Sequence, residues 1–353
     1  MDGFFKDIKM HLPSIKSVKL TTALIATLFS CNAFTKPYIP SDDSVVASSR
    51  SVITAKLSLD EINSLVVNSQ YVGQTERLQG MLKTRLATLY KQNPTPQVGY
   101  LYARVLQKEH LFNEAINVAN QVLAIEPNHS NSHLLLANIY MTKGRFIEAK
   151  QQCVALIGLV SITTTSTCVL DVQSQHDDLL QSYQSLKKIT QNKDISLATT
   201  HVLSEMSYRL NNYDAAFAYI QDIDLRKAPV SLIVLWADIQ LELNNDQQLL
   251  DTLGELLTDN NNLEDAILLR LAIAEKKLNN SDKKWQTMMK SRVDLRELRQ
   301  DTFHASDLAK YYIAVQPNGQ KALYWANINW QQAKMSADEQ LIIQAKAMQR
   351  DTL

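Results

Sequence analysis

Between residues 99 and 157 the chain writes one pattern twice, and the two copies stand 34 residues apart. The first reads GYLYARVLQKEHLFNEAINVANQVLAIEP and the second HLLLANIYMTKGRFIEAKQQCVALI. At that offset Tyr102-Ala103 falls on Leu136-Ala137, Leu106 on Tyr140, and Ala115 on Ala149. Pro127 closes the first copy where the second begins. A fixed period of this length describes a supersecondary unit that buries its apolar face only by stacking on further copies of itself.

Each copy reads as two amphipathic helices joined by a short polar turn, at residues 108–110 in one and 142–145 in the other. Ala103 and Ala137 fall where the helices of a pair approach, and a larger side chain there would hold them apart. Ala115 and Ala149 play the same part on the second helix, where a methyl suits a ridge-and-groove contact. Tyr140 and Phe146 are large enough to fill the space that these small residues leave. Gly144 ends the first helix of the second copy, because a residue without a Cβ adopts left-handed backbone at least cost. Pro127 sits where a helix begins, the position proline tolerates.

This period and order of small and large residues resemble the tetratricopeptide repeat, a helix–turn–helix unit that stacks into a superhelix. The resemblance implies an all-α fold, a tetratricopeptide-like α-solenoid, that offers a concave surface to other proteins. A wider similarity runs through PYIPSDD after the first segment, QKEHLFNEA, GRFIEAKQQC before CVLDV, and ALYWANINWQQ near the end. These stretches resemble a family of exported proteobacterial tetratricopeptide proteins. That likeness implies an all-helical periplasmic protein and carries no activity with it.

Outside the two clear copies, 96–129 and 130–163, the pattern thins. Residues 34–57 read as an extended linker. Ser58-Leu59-Asp60-Glu61 has the spacing of a capping box that opens a helix to about Val67, and a second helix is expected from 75 to 90. Past the second copy, SITTTST reads as a loop before Cys168, and LLQSYQSLKKI as a lone amphipathic helix after a polar turn, the second half of a decayed repeat. Further pairs are expected over 199–229, over 230–258 with a turn at Asn244-Asn245, and around Asn279-Asn280. Leu308-Ala309, Tyr312, Ala322 and Ala326 restore a better repeat, turning at Pro317-Asn318-Gly319. A helix over 337–350 is expected to cap the solenoid, which therefore spans 58–353. No alternation long enough for a strand is visible.

The composition agrees. Of 353 residues 45% are apolar, enough for a continuous core, while 8 Gly and 8 Pro are too few for a fold built on tight turns. Lys plus Arg and Asp plus Glu balance at 36 each, which argues against a nucleic-acid partner.

Residues 1–33 read as a secretory signal. Lys6, Lys9, Lys16 and Lys19 precede LTTALIATLFS, an apolar run too short for a comfortable membrane span. Leu28-Phe29-Ser30-Cys31 resembles a lipobox in which Cys31 is lipidated, giving an outer-membrane lipoprotein. Alternatively, cleavage before Phe34 releases a periplasmic product, with no membrane contact beyond the signal. In an exported chain Cys153 and Cys168 suggest a disulfide, the alternative being two reduced cysteines packed as small hydrophobes.

Motifs for chemistry are missing. The glycines never cluster into a phosphate loop, and no nucleophile elbow is present. His129 and His133 have a helical metal-ligand spacing, but no neighbouring Cys, Asp or Glu completes a set. Asp177-Asp178, Glu264-Asp265 and Asp338-Glu339 suit helix starts, where the dipole favours carboxylates. The expectation is a protein without catalytic residues, cofactor or metal. Its candidate site is the concave groove, where inward positions of the first helices hold Tyr100, Arg104, Gln107 and Lys108, then Asn131, Leu134, Asn138 and Met141. That mixture of an aromatic, two cations, amides and a soft thioether suits an extended peptide. The same residues also fit a merely solvated inner face.

Overall fold

The computed structural model describes residues 57–74, 79–256 and 263–350. The signal segment 1–33, Cys31 and the linker up to residue 56 lie outside the described residues, as do positions 75–78 of the expected second helix. Among the described residues there are seventeen α-helices and no strand. An opening pair is formed by α1 (Leu59–Asn68) and α2 (Gln79–Gln92). Then come α3 (Pro96–Lys108) with α4 (Phe112–Ile125), α5 (Ser130–Thr142) with α6 (Phe146–Val154), and α7 (Ile162–His176) with α8 (Leu179–Thr190). They are followed by α9 (Leu197–Arg209) with α10 (Tyr213–Ile220), α11 (Val230–Glu242) with α12 (Asp246–Leu256), and α13 (Asp265–Lys277) with α14 (Lys284–Arg299). The series ends with α15 (Ala305–Ala314), α16 (Gly319–Gln332) and a closing helix α17 (Ser336–Arg350).

The fold is a tetratricopeptide-like α-solenoid. From α3 to α13 the first helices begin 32 to 35 residues apart, so the period seen twice in the sequence runs through the molecule. From α3 to α15 each first helix packs on the first helix of the next pair. The second helices α4, α6, α8, α10 and α12 pack instead on their own partner and on the next first helix. Neighbours that touch lie on the shorter inner arc, so the first helices line the concave side. The interval before α15 stretches to 40 residues, with α14 16 residues long and a 300–304 connection that holds Gln300 and His304 in left-handed backbone.

Small side chains recur at the close approaches. On the first helices these are Ala103, Ala137, Ser204, Ala237, Ala272 and Ala309, and on the second helices Ala115, Ala149, Ser182, Ala216 and Ala322; all are buried. The turns inside five of the pairs share one geometry. His110, Gly144, Asn211, Asn244 and Asn279 all take left-handed backbone, with φ between 53° and 71°. The next residue's amide then returns to the carbonyl five positions back: Leu111 to Leu106, Arg145 to Tyr140, Asn212 to Ser207, Asn245 to Gln240 and Asn280 to Glu275. This six-to-one bond is the Schellman closure, which satisfies carbonyls that a helix end would otherwise leave bare.

The last turns are also capped from neighbouring pairs. Lys277 Nζ donates to the Leu241 carbonyl at 2.6 Å, Arg209 donates to the Ser174 carbonyl at 2.5 Å, and Lys108 donates to that of Ser69. A cation at the C-terminal end of one first helix thus neutralises the negative end of the preceding one or, for Lys108, of α1. Deeper on the concave side Arg270 forms a two-bond fork to Asp238 at 2.9 Å each and reaches Asp307 at 3.3 Å, tying α11, α13 and α15 together.

Two sequence expectations fail here. SITTTST is not a loop: Ser161 caps the Thr164 amide, and ITTTST forms the first turns of α7. Local hydroxyl bonding favours turns, but the cap spends it at a helix start and burial of Thr165 and Thr167 carries the rest. The missing first half of the decayed repeat is therefore α7, on which LLQSYQSLKKI packs as α8, and the second clear repeat ends before residue 162 rather than at 163. Cys153 on α6 and Cys168 on α7 are joined by a disulfide with Cα atoms 5.5 Å apart.

The solenoid coils until its ends meet its beginning. The Val230 amide donates to the Gln70 carbonyl at 2.9 Å, and the Gly73 amide to the Glu264 carboxylate at 2.9 Å. The Lys334 amide donates to the Thr142 carbonyl at 2.7 Å, and Ser336 Oγ to the Gln175 side chain at 3.1 Å. Met335 packs into the core formed by α3 to α7. His304 has no neighbouring histidine in sequence, yet its ring lies 5.1 Å from that of His110, a turn residue of the first clear repeat.

Candidate functional site

Three successive first helices, α5, α7 and α9, frame a cleft of about 270 Å³ on the concave side. From α5 it takes Leu134, Ala137, Asn138 and Met141; from α7, Thr164, Thr167, Cys168, Asp171 and Val172. The start of α9 adds Ala198, Thr199 and Val202, with Ser196 just before it. The period explains this gathering. Leu134, Asn138 and Met141 are spaced to lie along one side of α5, as are Thr164, Cys168 and Asp171 on α7. Thr167 and Thr199 hydroxyls lie 3.1 Å apart across the cleft floor and join α7 to α9. The disulfide fixes the wall that Cys168 contributes.

The eight groove residues expected from sequence divide. Leu134, Asn138 and Met141 line the cleft. Gln107 donates to the Asn138 side chain at 2.6 Å and so borders it. Tyr100 packs against the His129 ring at 5.3 Å, and Arg104 stands 5.8 Å above the Tyr100 ring; they form a stacked ledge on α3. Asn131 is exposed at the start of α5. Lys108 lines a different cleft, with His110, Phe303 and His304, and its ammonium is held by the Ser69 carbonyl, where burial pulls its pKa down to about 8 against the opposing pull of Glu264.

One charged residue in the cleft was not anticipated. Asp171 stands 34 positions after Ala137 and 33 before Ser204, at the place where the repeat otherwise puts a small side chain. Loss of water and the Glu205 charge push its carboxyl up to about 7, while Arg209 and a bond from Gln175 act the other way. Arg209 is largely committed elsewhere, to the Ser174 hydroxyl at 3.0 Å and carbonyl at 2.5 Å, and stays 4.0 Å from Glu205. In the sequence the threonine-rich start of α7 imitates a loop and hides the repeat register that places Asp171 here. The Ser161-to-Thr164 cap spacing was the available signal.

The histidine pair shows other work. His129 Nδ1 accepts from the Ser132 amide and caps α5. His133 is buried, with one ring nitrogen 2.9 Å from the Pro127 carbonyl and the other 2.7 Å from the Gln152 side-chain amide. Among the described residues no group of three or more His, Cys, Asp or Glu is gathered to hold a metal ion. The adjacent carboxylates do sit at helix starts: Asp178 caps α8, Glu264 precedes α13, and Asp338 bonds the Met335 amide at 2.9 Å.

No curated protein matches the chain. A family match to the tetratricopeptide repeat covers residues 106–157, from the end of α3 to just past α6. Such helical repeats are typically non-catalytic and serve as protein-interaction scaffolds. The stretch that carries the doubled pattern, and supplies the α5 side of the cleft, is therefore similar to the tetratricopeptide repeat.

Proposed function

We propose that the protein is a non-enzymatic periplasmic adaptor that binds a protein or peptide partner in the cleft framed by α5, α7 and α9. The observation that carries this reading is the cleft itself. It joins apolar walls from Leu134, Met141 and Val202 to polar groups from Asn138, Thr167 and Asp171 on rigid, disulfide-braced helices. At about 270 Å³ it is smaller than the roughly 300–1,000 Å³ of a typical small-molecule pocket. One or two side chains of an extended ligand suit it better than a whole metabolite. Export is supported by the basic and apolar order of residues 1–33 and by the paired cysteines, which persist in an oxidising compartment.

The test is a photo-crosslinking residue placed at Asn138 in the cleft or at Lys150 on the exposed side of α6, used in the native envelope. Adducts from position 138 that vanish with Leu134→Arg, and that position 150 does not give, are the expected result. Equal adducts from both positions would sink the reading. Intact mass of the purified protein separates a soluble product from a lipid-anchored envelope component, because diacylglycerol on Cys31 adds mass that simple cleavage does not.

A further inference from the structure

We propose that the cleft takes a basic side chain of a linear peptide, its aliphatic stem between Leu134, Met141 and Val202 and its cationic end at Asp171. This rests on the reading of the cleft as a peptide site and adds the chemistry of the ligand.

The charge balance points this way. Asp171 lines the cleft, and Glu205 on the adjacent α9 adds a second carboxylate close enough to act on it. Arg209 is the one cation acting on Asp171, and its guanidinium is bonded to the end of α7. The residues of α5 that line the cleft carry no charge. The first turn of α9 contributes at most about half a positive charge, and Ser196 already accepts its Thr199 amide. Two carboxylates therefore outweigh one committed cation and a partial dipole, and an ammonium or guanidinium restores the balance. Lys and Arg side chains carry three or four methylenes below the charge, which match the apolar walls.

The group at the end of the cleft is also poised. Asp171 sits near 7 in the empty protein, so an arriving cation draws it into its ionised form and a proton leaves. His201 on α9, which also feels the Glu205 carboxylate, is held below its ordinary value by burial despite that charge. Gln175 bonds Asp171 and is itself held by Ser336 of α17; neither titrates.

The experiment uses three fluorescein-labelled nonapeptides that differ only in one central residue between two leucines: lysine, norleucine or glutamate. Fluorescence polarisation with the full protein should rank lysine at least tenfold tighter than either of the others. Affinity for the lysine peptide should fall about tenfold from pH 8 to pH 6, as ionised Asp171 falls from about nine-tenths to one-tenth. Asp171→Asn, checked for an unchanged circular dichroism spectrum, should lose both the preference and the pH dependence while binding the norleucine peptide as before. Lysine and norleucine peptides that bind alike, or a preference that survives Asp171→Asn, overturn the basic-anchor proposal. If in that case Leu134→Arg weakens all three peptides equally, the cleft remains the peptide site. Should none of the three bind, both readings fall together.

Discussion

Asn279 takes left-handed backbone at φ 53° and is exposed, as expected for the turn residue of a helix pair. The same conformation falls on Asn211 and Asn244, and each of the three is followed by a second Asn that makes the closing bond. Asn-Asn at intervals of 33 and 35 residues was therefore a readable mark of the decayed repeats, and only two of these turns were anticipated. Glycine adopts this backbone freely, Asn tolerates it through its short polar side chain, and a β-branched residue does not. Asn279→Val should accordingly lose about 1–2 kcal/mol of unfolding free energy, whereas Asn279→Gly should be neutral or slightly stabilising. Urea denaturation of the pair checks this; equal stabilities would mean that backbone strain does not set the residue there. His110 is the exception to the pattern, a bulky residue at φ 57° whose ring is used against Phe112 and His304 instead.

The same logic separates the helices that sequence reveals from those it conceals. Helices α3 to α6 were legible because Ala103, Ala115, Ala137 and Ala149 keep the small positions and Gly144 marks a turn. In α7 and α8 those positions hold Asp171 and Ser182, and the threonine-rich start imitates a loop. Here tertiary burial, the Ser161 cap and the link to α6 outweigh local preference. The disulfide is that link, closing a loop of 15 residues between the end of α6 and the middle of α7. By chain entropy such a loop contributes about 3 kcal/mol. Cys153→Ser is expected to lower stability by about that amount in oxidising buffer and by much less with a reductant present. Because Cys168 also lines the cleft, the variant should weaken partner crosslinking from Asn138 at temperatures where the fold persists. Thermal unfolding with and without dithiothreitol measures the first effect. An unchanged melting temperature in oxidising buffer would mean that helix packing alone holds α7.

At the scale of the molecule the inner face is less open than two repeats suggest. Four of the eight residues expected in the groove, Gln107, Leu134, Asn138 and Met141, line or border the cleft, and the inner face around them depends on elements more than 150 positions away. The Thr142 carbonyl meets the Lys334 amide, and Lys108 lies within reach of the Glu264 charge. No local pattern encodes such contacts, because they follow from the small rotation per pair accumulated along the solenoid. Met335 is the apolar peg of this closure, half-buried in the core of α3 to α7 between the Lys334 and Ser336 hydrogen bonds. Met335→Asp places an unpaired carboxylate there, at about 2 kcal/mol or more, with no direct effect on the helix pairs themselves. The outcome expected is a larger radius of gyration in small-angle scattering at nearly unchanged helicity, as α17 leaves α5 and α7. Gly144→Ala approaches the same contact from the other side, since a Cβ on Gly144 would lie 3.0 Å from the Lys334 Cβ, whereas one on Gly158 meets open space. Both glycines have positive φ, so the alanine variants share the backbone penalty and differ in the closure alone. If Gly144→Ala and Met335→Asp both leave the scattering curve unchanged, the end-to-start contacts do not hold the coil shut, and its curvature belongs to the stacked pairs themselves.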